Sequence, residues 1–359
     1  MAFPSPIPFD PSLETISDDE RQVVSDLNQS FREITETTAE DCEFALRSVH
    51  AKSHGILEGS LTIDEGLPPE LSQGLFSKSG TYPLILRMST NAGDMLDDSI
   101  ALPRGLAMKV MDVEGQRLPD SEGTTQDFIM INAPAFAAPD AESFSKNLSL
   151  LAKTTDRVEW LKKIAAGMFK VVNAALDKVG VGQIDALALM GGMPNVEPMG
   201  ETYNSAVPFR YGDYVAKFSL RPIAPWMRDL TGETIDASDR PNAVREDVRA
   251  EMFRGDAEWE FCVQLLRDVD KQPIEDASAE WPEDVSPFQR VGVVRAASQD
   301  SWLDSRVETV NMHRRFSPWT GLEAHRPLGN VNRARKQTYR ASADLRSSLN
   351  NCPYHEPGA

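Results

Sequence analysis

The sequence predicts an α+β protein in which an antiparallel sheet or barrel is flanked by helices. Three observations predict it. Short apolar runs of period two come in two batches, one within 82–132 and one within 211–296. A stretch of helical periodicity over 141–179 separates the batches. No strand–helix–strand alternation runs through the chain, which argues against a doubly wound parallel sheet.

Residues 1–16 are rich in proline and fit an extended arm. Ser17 with Glu20 forms a capping box for a helix whose apolar stripe is Val24, Leu27, Phe31 and Ile34. From about 44 the character turns to strand. "YPLILRMST" (82–90), "GLAMKVMD" (105–112) and "DFIMIN" (127–132) form the first batch. Leu106, Met108 and Val110 alternate with Ala107, Lys109 and Met111, so successive side chains take opposite faces. Val158, Leu161, Ile164, Ala165, Met168, Val172, Leu176 and Val179 then trace one helix face. In "YGDYVAKFSL" (211–220), Tyr214, Ala216, Phe218 and Leu220 alternate with Val215, Lys217 and Ser219; "EFCVQLL" and "RVGVVRA" complete the second batch. From about 331 the composition is helical. The expected layout is an arm and helix over 1–40 and a single domain over 41–350, with a helical insert at about 141–180.

A chain of 359 residues that is 41% hydrophobic has enough apolar side chain for a sizeable core. Its formal net charge of −18 repels phosphate backbones and anionic lipid, so neither nucleic acid nor a membrane surface is an expected partner. Cys42, Cys262 and Cys352 are scattered and make no disulfide framework, which fits a reducing compartment. The N-terminal residues carry no basic and apolar leader pattern, and no apolar run approaches the ~20 residues that span a bilayer. The expectation is a cytoplasmic protein without membrane insertion. Two familiar patterns fail. "VGVG" (179–182) ends a helix instead of following a strand, so it reads as a helix C-cap. "HAKSH" (50–54) lacks the glutamate of a zinc helix.

The stretch "NRARKQTYRASADLR" (332–346) places Arg335, Tyr339 and Arg346 on one helix face, since residues four apart are neighbours and eleven complete about three turns. A guanidinium beside a phenol favours the phenolate, a strong ligand for ferric iron, and one class of haem enzyme holds its metal through an arginine-paired tyrosine. A solvated basic helix with a half-exposed tyrosine fits the same residues.

Four further stretches bear on that choice. "RSVHAKSHG" (47–55) resembles the distal-histidine segment of haem catalases, R-x-V-H-A-K-G. "LRMST" (86–90) resembles their R-F-S-T, "PRGLAMKV" (103–110) their P-R-G-F-A-x-K, and "RARKQTY" (333–339) their R-x-x-x-Y. The matches come in family order and, with weaker similarity at 202–220 and in "HRPLGN", span roughly 44–348. The chain most resembles short catalase-related proteins, which include small peroxidases and catalase-like allene oxide synthases.

That resemblance implies a central antiparallel β-barrel with flanking helices, a buried haem b with its iron, and association into homo-oligomers. It implies Tyr339 as the proximal iron ligand with Arg335 as its charge partner, and Arg47, Arg87 and Arg346 at the propionates. His50 would be the distal acid and base, Ser89 its hydrogen-bond partner, and Val49 would pack over the haem face. On a regular strand Arg47 and His50 point to opposite faces, so both reach one site only if the strand bends there. The resemblance also has departures. The distal asparagine of catalases is matched by Thr125, with Gln126 or Asn132 as alternative sources of an amide. Met130 and Ala138 stand where catalases have bulky phenylalanines, which implies a wider, softer pocket. Most of the wrapping arm and C-terminal helical region of full-length catalases lacks a counterpart, and nothing suggests a bound nicotinamide nucleotide. The implied activity is peroxidase- or catalase-like: haem-dependent reduction of hydrogen peroxide or organic hydroperoxides at the expense of a reducing co-substrate or a second peroxide. The alternatives are isomerisation or dehydration of fatty-acid hydroperoxides, and haem binding without turnover.

Overall fold

Among the described residues the chain forms nine strands: β1 (Ser53–Ile63), β2 (Gly80–Thr90), β3 (Arg104–Val110), β4 (Gln126–Ile131), β5 (Tyr203–Asn204), β6 (Phe209–Tyr211), β7 (Tyr214–Pro222), β8 (Ala257–Leu265) and β9 (Gln289–Ala296). In this computed structural model, which describes residues 3–154 and 194–358, every pairing among them is antiparallel. The order β1–β2–β3–β4–β5–β7–β8–β9 returns to β1, closing an eight-stranded barrel, and β6 hangs on β7 as a hairpin partner. Closure leaves the ring without an unpaired edge.

Period two decides what faces inward. Leu57 and Leu61 of β1, Leu86 and Met88 of β2, Leu106 and Met108 of β3, and Phe128 of β4 belong to one buried cluster. Register confirms the face: Met108 pairs with Leu86 on one side and Phe128 on the other. Phe128 packs edge-on against Phe218 at 5.1 Å and Phe261 at 4.9 Å between ring centroids. Each fully buried side chain of this kind contributes roughly 1.5–3 kcal/mol, as an upper estimate. The intervening residues Arg87, Ala107 and Ile129 pair in a row of their own and project from the outer face.

Helices cover part of that outer face. They are α1 (Glu20–Cys42), α2 (Ala141–Thr154), α3 (Ala243–Glu251), α4 (Asp304–His313) and α5 (Asn330–Leu349). Val23, Val24 and Leu27 of α1 pack with Ala141 of α2 and Ala334 of α5, with Phe31 alongside. The apolar stripe expected for α1 is therefore its packing face. Its start lies later than the capping box implied: Asp19 is the N-cap, and Ser17 offers only a backbone N–H to Glu20 Oε1, at 3.4 Å. Arg333 leaves the opposite side of α5 and meets Glu14 (2.7 Å), Glu20 (2.6 Å) and Glu275 (3.0 Å), tying the proline-rich arm to the helix. The expected helical insert is described as far as Thr154; its apolar face from Val158 to Val179 and the "VGVG" turn lie outside the described residues.

Candidate functional site

The outer face of β2–β4, the segment 47–50 and the inner face of α5 enclose a cavity of ≈ 370 Å³. Strand alternation supplies Arg87, Ser89, Gly105, Ala107 and Ile129 to its floor; α5 supplies Tyr339, Ala343 and Arg346. Pro119, Asp120, Glu122, Arg315, Trp319, Lys336, Arg340 and Tyr354 border it as well. Of the residues singled out in the sequence, Arg47, Val49, His50, Arg87, Ser89, Tyr339 and Arg346 meet here, from segments up to 299 positions apart.

His50 shows how one wall is built. The chain bends over 48–50, before β1 starts at Ser53, and His50 takes a left-handed φ of 54°. That conformation is uncommon for a residue other than glycine, and it is held by hydrogen bonds from the His50 and Ala51 N–H groups to the Asn91 and Ala92 carbonyls (3.2 and 2.9 Å). The bend resolves the conflict of facing: Arg47 and His50 are not on a strand, and both line the cavity. The imidazole Nδ1 lies 3.1 Å from Ser89 Oγ. A Cβ on Gly105 would sit 2.5 Å from the imidazole Cε1, so glycine leaves the room that the ring fills. Burial pushes the His50 pKa down to about 3, assisted by the charges of Arg87, Arg335 and Arg47. The ring is therefore neutral near pH 7, with a lone pair able to accept a proton.

Three guanidiniums, those of buried Arg87 and Arg346 and of half-buried Arg47, dominate the electrostatics. Arg47 and Arg346 lie side by side on the same two carbonyls: each donates to Asn311 O (both 3.1 Å) and to Arg314 O (3.0 and 3.1 Å). Arg87 donates through Nη2 to the His50 and Ala51 carbonyls (3.0 and 3.1 Å) and through Nε to Asn311 Oδ1 (3.0 Å). Among the described residues none of the three has a carboxylate partner, although the surface is strongly acidic. Burial lowers the pKa of all three; for Arg87 it falls to about 9, with Arg346 adding repulsion. Carbonyl dipoles satisfy part of their N–H groups without neutralising their charge. Such a cluster, open to a cavity, calls for an anionic group.

Other expectations need correction. Arg335 does not line the cavity and does not hydrogen-bond the Tyr339 phenol. Its Nη1 donates to Asn332 Oδ1 (3.3 Å), and its guanidinium lies 5.7 Å from the Phe136 ring centroid. Helical spacing put Arg335 and Tyr339 on one face, but the neighbours of the long side chain decided its direction. Arg340 borders the cavity as well. None of the three candidate amide or hydroxyl partners faces it. Thr125 Oγ1 lies beside Lys109 Nζ (3.5 Å), Gln126 Oε1 accepts from the Leu322 N–H (2.9 Å), and Asn132 bonds the Arg104 N–H and Glu201 (2.8 and 2.7 Å). Ile129 faces the cavity from β4, whereas Met130, though it borders the cavity, is buried with Phe128 in the barrel core and Ala138 is buried elsewhere.

Asn311 and the carbonyl of Arg314, which hold the arginines, carry no local signal in the sequence. They sit at the end of α4 and just beyond it, more than 260 residues from Arg47. Segment 351–358 is equally unannounced. His355 N–H donates to His313 O (2.8 Å), and Glu356 reaches Lys109 Nζ (2.8 Å) and Arg315 Nε (3.0 Å), bringing Tyr354 to the cavity.

No family model matches the chain, and no curated protein does. Solved structures do match. A fungal catalase aligns with a TM-score of 0.56 at 16% identity, over 88% of this chain and 64% of its own. A bacterial catalase aligns with a TM-score of 0.57 at 18% identity, over 88% and 60%. Catalase A from Saccharomyces cerevisiae aligns with a TM-score of 0.58 at 16% identity, over 88% and 63%. The chain thus spans about three fifths of the length of the catalases it matches, and its barrel with flanking helices is a catalase-like fold.

Proposed function

We propose that the cavity binds haem b and that the protein reduces peroxides, within one haem-binding domain built on the barrel. The observation that carries the reading is the trio of carboxylate-free guanidiniums facing the same cavity as a neutral His50–Ser89 pair and Tyr339. A flat apolar ring with two carboxylates fits that lining in charge and in chemistry. Arg47, Arg87 and Arg346 would hold the propionates, Val49 and Ala343 would meet the ring, and Tyr339 would ligate the iron. Arg335 fits less well, because it bonds Asn332. When bound, the haem would supply the redox chemistry that splits the peroxide O–O bond.

The chain's own part in that reaction is proton handling. With Nδ1–H donated to Ser89 Oγ, the second nitrogen of His50 is free to take a proton from one peroxide oxygen and return it to the other. Ser89 holds the tautomer and the ring plane. The conformation at His50 aims the ring without an induced movement. Since Thr125, Gln126 and Asn132 are engaged elsewhere, peroxide at His50 gains no distal amide from them. Catalases rely on such a group beside their histidine. This favours organic hydroperoxides over fast disproportionation of hydrogen peroxide.

Purified protein titrated with haem tests the reading. A stoichiometric Soret band and peroxide turnover that His50→Ala lowers at least a hundredfold are expected; absence of haem uptake overturns it. Product analysis with a lipid hydroperoxide separates reduction, which yields an alcohol, from isomerisation, which yields an epoxide-derived ketol.

A further inference from the structure

Of the residues lining the cavity, Tyr339, Trp319 and Tyr354 carry readily oxidised rings. Trp319 and Tyr354 are half-buried at the cavity, so each also presents an edge to solvent. Their surroundings differ in one chemical respect. The Trp319 indole N–H donates to the Asn332 carbonyl (2.7 Å), which is not a base, and Lys336 Nζ sits 5.2 Å from its ring centroid. Loss of an electron there leaves a radical cation with no base on its N–H to take the proton. The Tyr354 O–H donates to Asp344 Oδ1 at 2.9 Å, and the same oxygen accepts from Arg315 Nη1 at 2.9 Å. A carboxylate in that position takes the phenolic proton as the electron leaves. The product is a neutral radical, which the Arg315 guanidinium 4.6 Å from the ring centroid does not oppose. Arg315 is fixed in turn by Glu356, so the group is held in place.

We infer that Tyr354, with Asp344 as its proton acceptor, is an electron-entry site through which phenols and arylamines too large for the cavity reduce the enzyme. This rests on the peroxidase reading above and names the class of its reducing co-substrate. In one pass Tyr354 gives an electron to the oxidised centre in the cavity and its proton to Asp344, leaving a tyrosyl radical and a carboxylic acid. An external phenol ArOH at the rim then transfers a hydrogen atom to that radical, restoring the tyrosine and releasing ArO•. Asp344, which is solvent-exposed, gives up its proton. Two passes supply the two electrons and two protons that convert ROOH to ROH and water, so the sum is ROOH + 2 ArOH → ROH + H₂O + 2 ArO•.

The test uses haem-loaded full chain, peroxide and a nitroso spin trap, with the adduct located by peptide mass spectrometry. The expected adduct is on Tyr354 and disappears in Tyr354→Phe. Rates with a polymer-tethered phenol should fall at least tenfold in Tyr354→Phe and in Asp344→Asn. Adducts confined to Trp319 or Tyr339, or an unchanged tethered-phenol rate in Tyr354→Phe, overturn the assignment. A second arm treats haem-free protein with a photogenerated one-electron oxidant. Trapping at Tyr354 in preference to Trp319, at least threefold reduced by Asp344→Asn, supports the proton-coupled pair even if haem loading fails; no preference overturns it. Failure of haem uptake in the first arm overturns the peroxidase reading alone.

Discussion

Lys109 and Arg87 leave the outer face of neighbouring strands, β3 and β2, and both are buried, yet their surroundings differ. Lys109 Nζ meets Asp127 (2.8 Å) and Glu356 (2.8 Å), and Glu356 meets Arg315 (3.0 Å), so two cations face two carboxylates. Burial and the neighbouring Glu356 push the Asp127 pKa up to about 7, while Lys109 opposes the shift. Arg87, with Arg47 and Arg346, faces carbonyl oxygens alone. The first cluster is complete: it clamps segment 351–358 against the barrel and has nothing left to bind. The second is incomplete in charge, and Arg346 spends only two of its five N–H groups on carbonyls, the state expected of a surface prepared for a dianion. Location on a strand does not separate the two; the presence of carboxylates from distant segments does.

The comparison can be broken by substitution. The largest effect is expected at Tyr339, which lines the same cavity from α5: Tyr339→Phe should weaken haem retention at least a hundredfold in an absorbance titration, and ordinary loading would remove the iron-ligand assignment. Next comes the complete cluster. Lys109→Met leaves Asp127 and Glu356 buried without their cation and should destabilise the haem-free protein by roughly 3–5 kcal/mol in urea unfolding. A loss under 1 kcal/mol would mean that the clamp contributes nothing.

Arg346→Met probes the incomplete cluster and should behave in the opposite way. The Asn311 and Arg314 carbonyls keep their bonds from Arg47, so no acceptor is orphaned and one buried like charge disappears. Haem-free stability should change by less than about 1 kcal/mol, while loss of a charge-assisted hydrogen bond worth roughly 1.5–3 kcal/mol lowers haem affinity about 10–100-fold. Equal losses in both measurements would make the arginines structural.

The smallest effect is a slope. His50 is held to about pH 3 by burial and the arginines, against about 6.5 when unfolded, so between those values the unfolded chain carries one more proton. Its contribution is full above about pH 6.5 and is lost as pH falls toward 3, at up to roughly 1.4 kcal/mol per pH unit. His50→Gln should remove one proton from the acid-side slope of stability against pH. A slope identical to that of the native chain would contradict the buried, neutral ring.

Much of this was legible in the chain. Alternation in "YPLILRMST" and "GLAMKVMD" assigns Leu86 and Met108 to one face and Arg87 and Ala107 to the other, and the barrel obeys it. The stripe Val24–Leu27 and the helix carrying Tyr339 were equally readable, because helix and strand periods are local geometry. Ordered motif matches brought His50, Ser89, Arg87 and Tyr339 forward as one set. Less was legible where long side chains choose among neighbours. Arg335 and Tyr339 share a helix face, yet Asn332 captures the guanidinium. Thr125, Gln126 and Asn132 are each consumed by partners that no short window contains.

By itself the sequence determined the class of fold, the two faces of each long strand and a set of arginines, a histidine and a tyrosine as candidates for one site. These follow from period and side-chain chemistry, which are properties of neighbouring positions. Tertiary structure alone decided that His50 turns through a left-handed bend onto Ser89, that Asn311 and Arg314 carry the arginines, and that segment 351–358 brings Tyr354 to the cavity. Those outcomes depend on carbonyls and carboxylates from segments 39 to more than 260 residues away, and closing such loops is decided by the sum of contacts across the whole molecule, which no local pattern records.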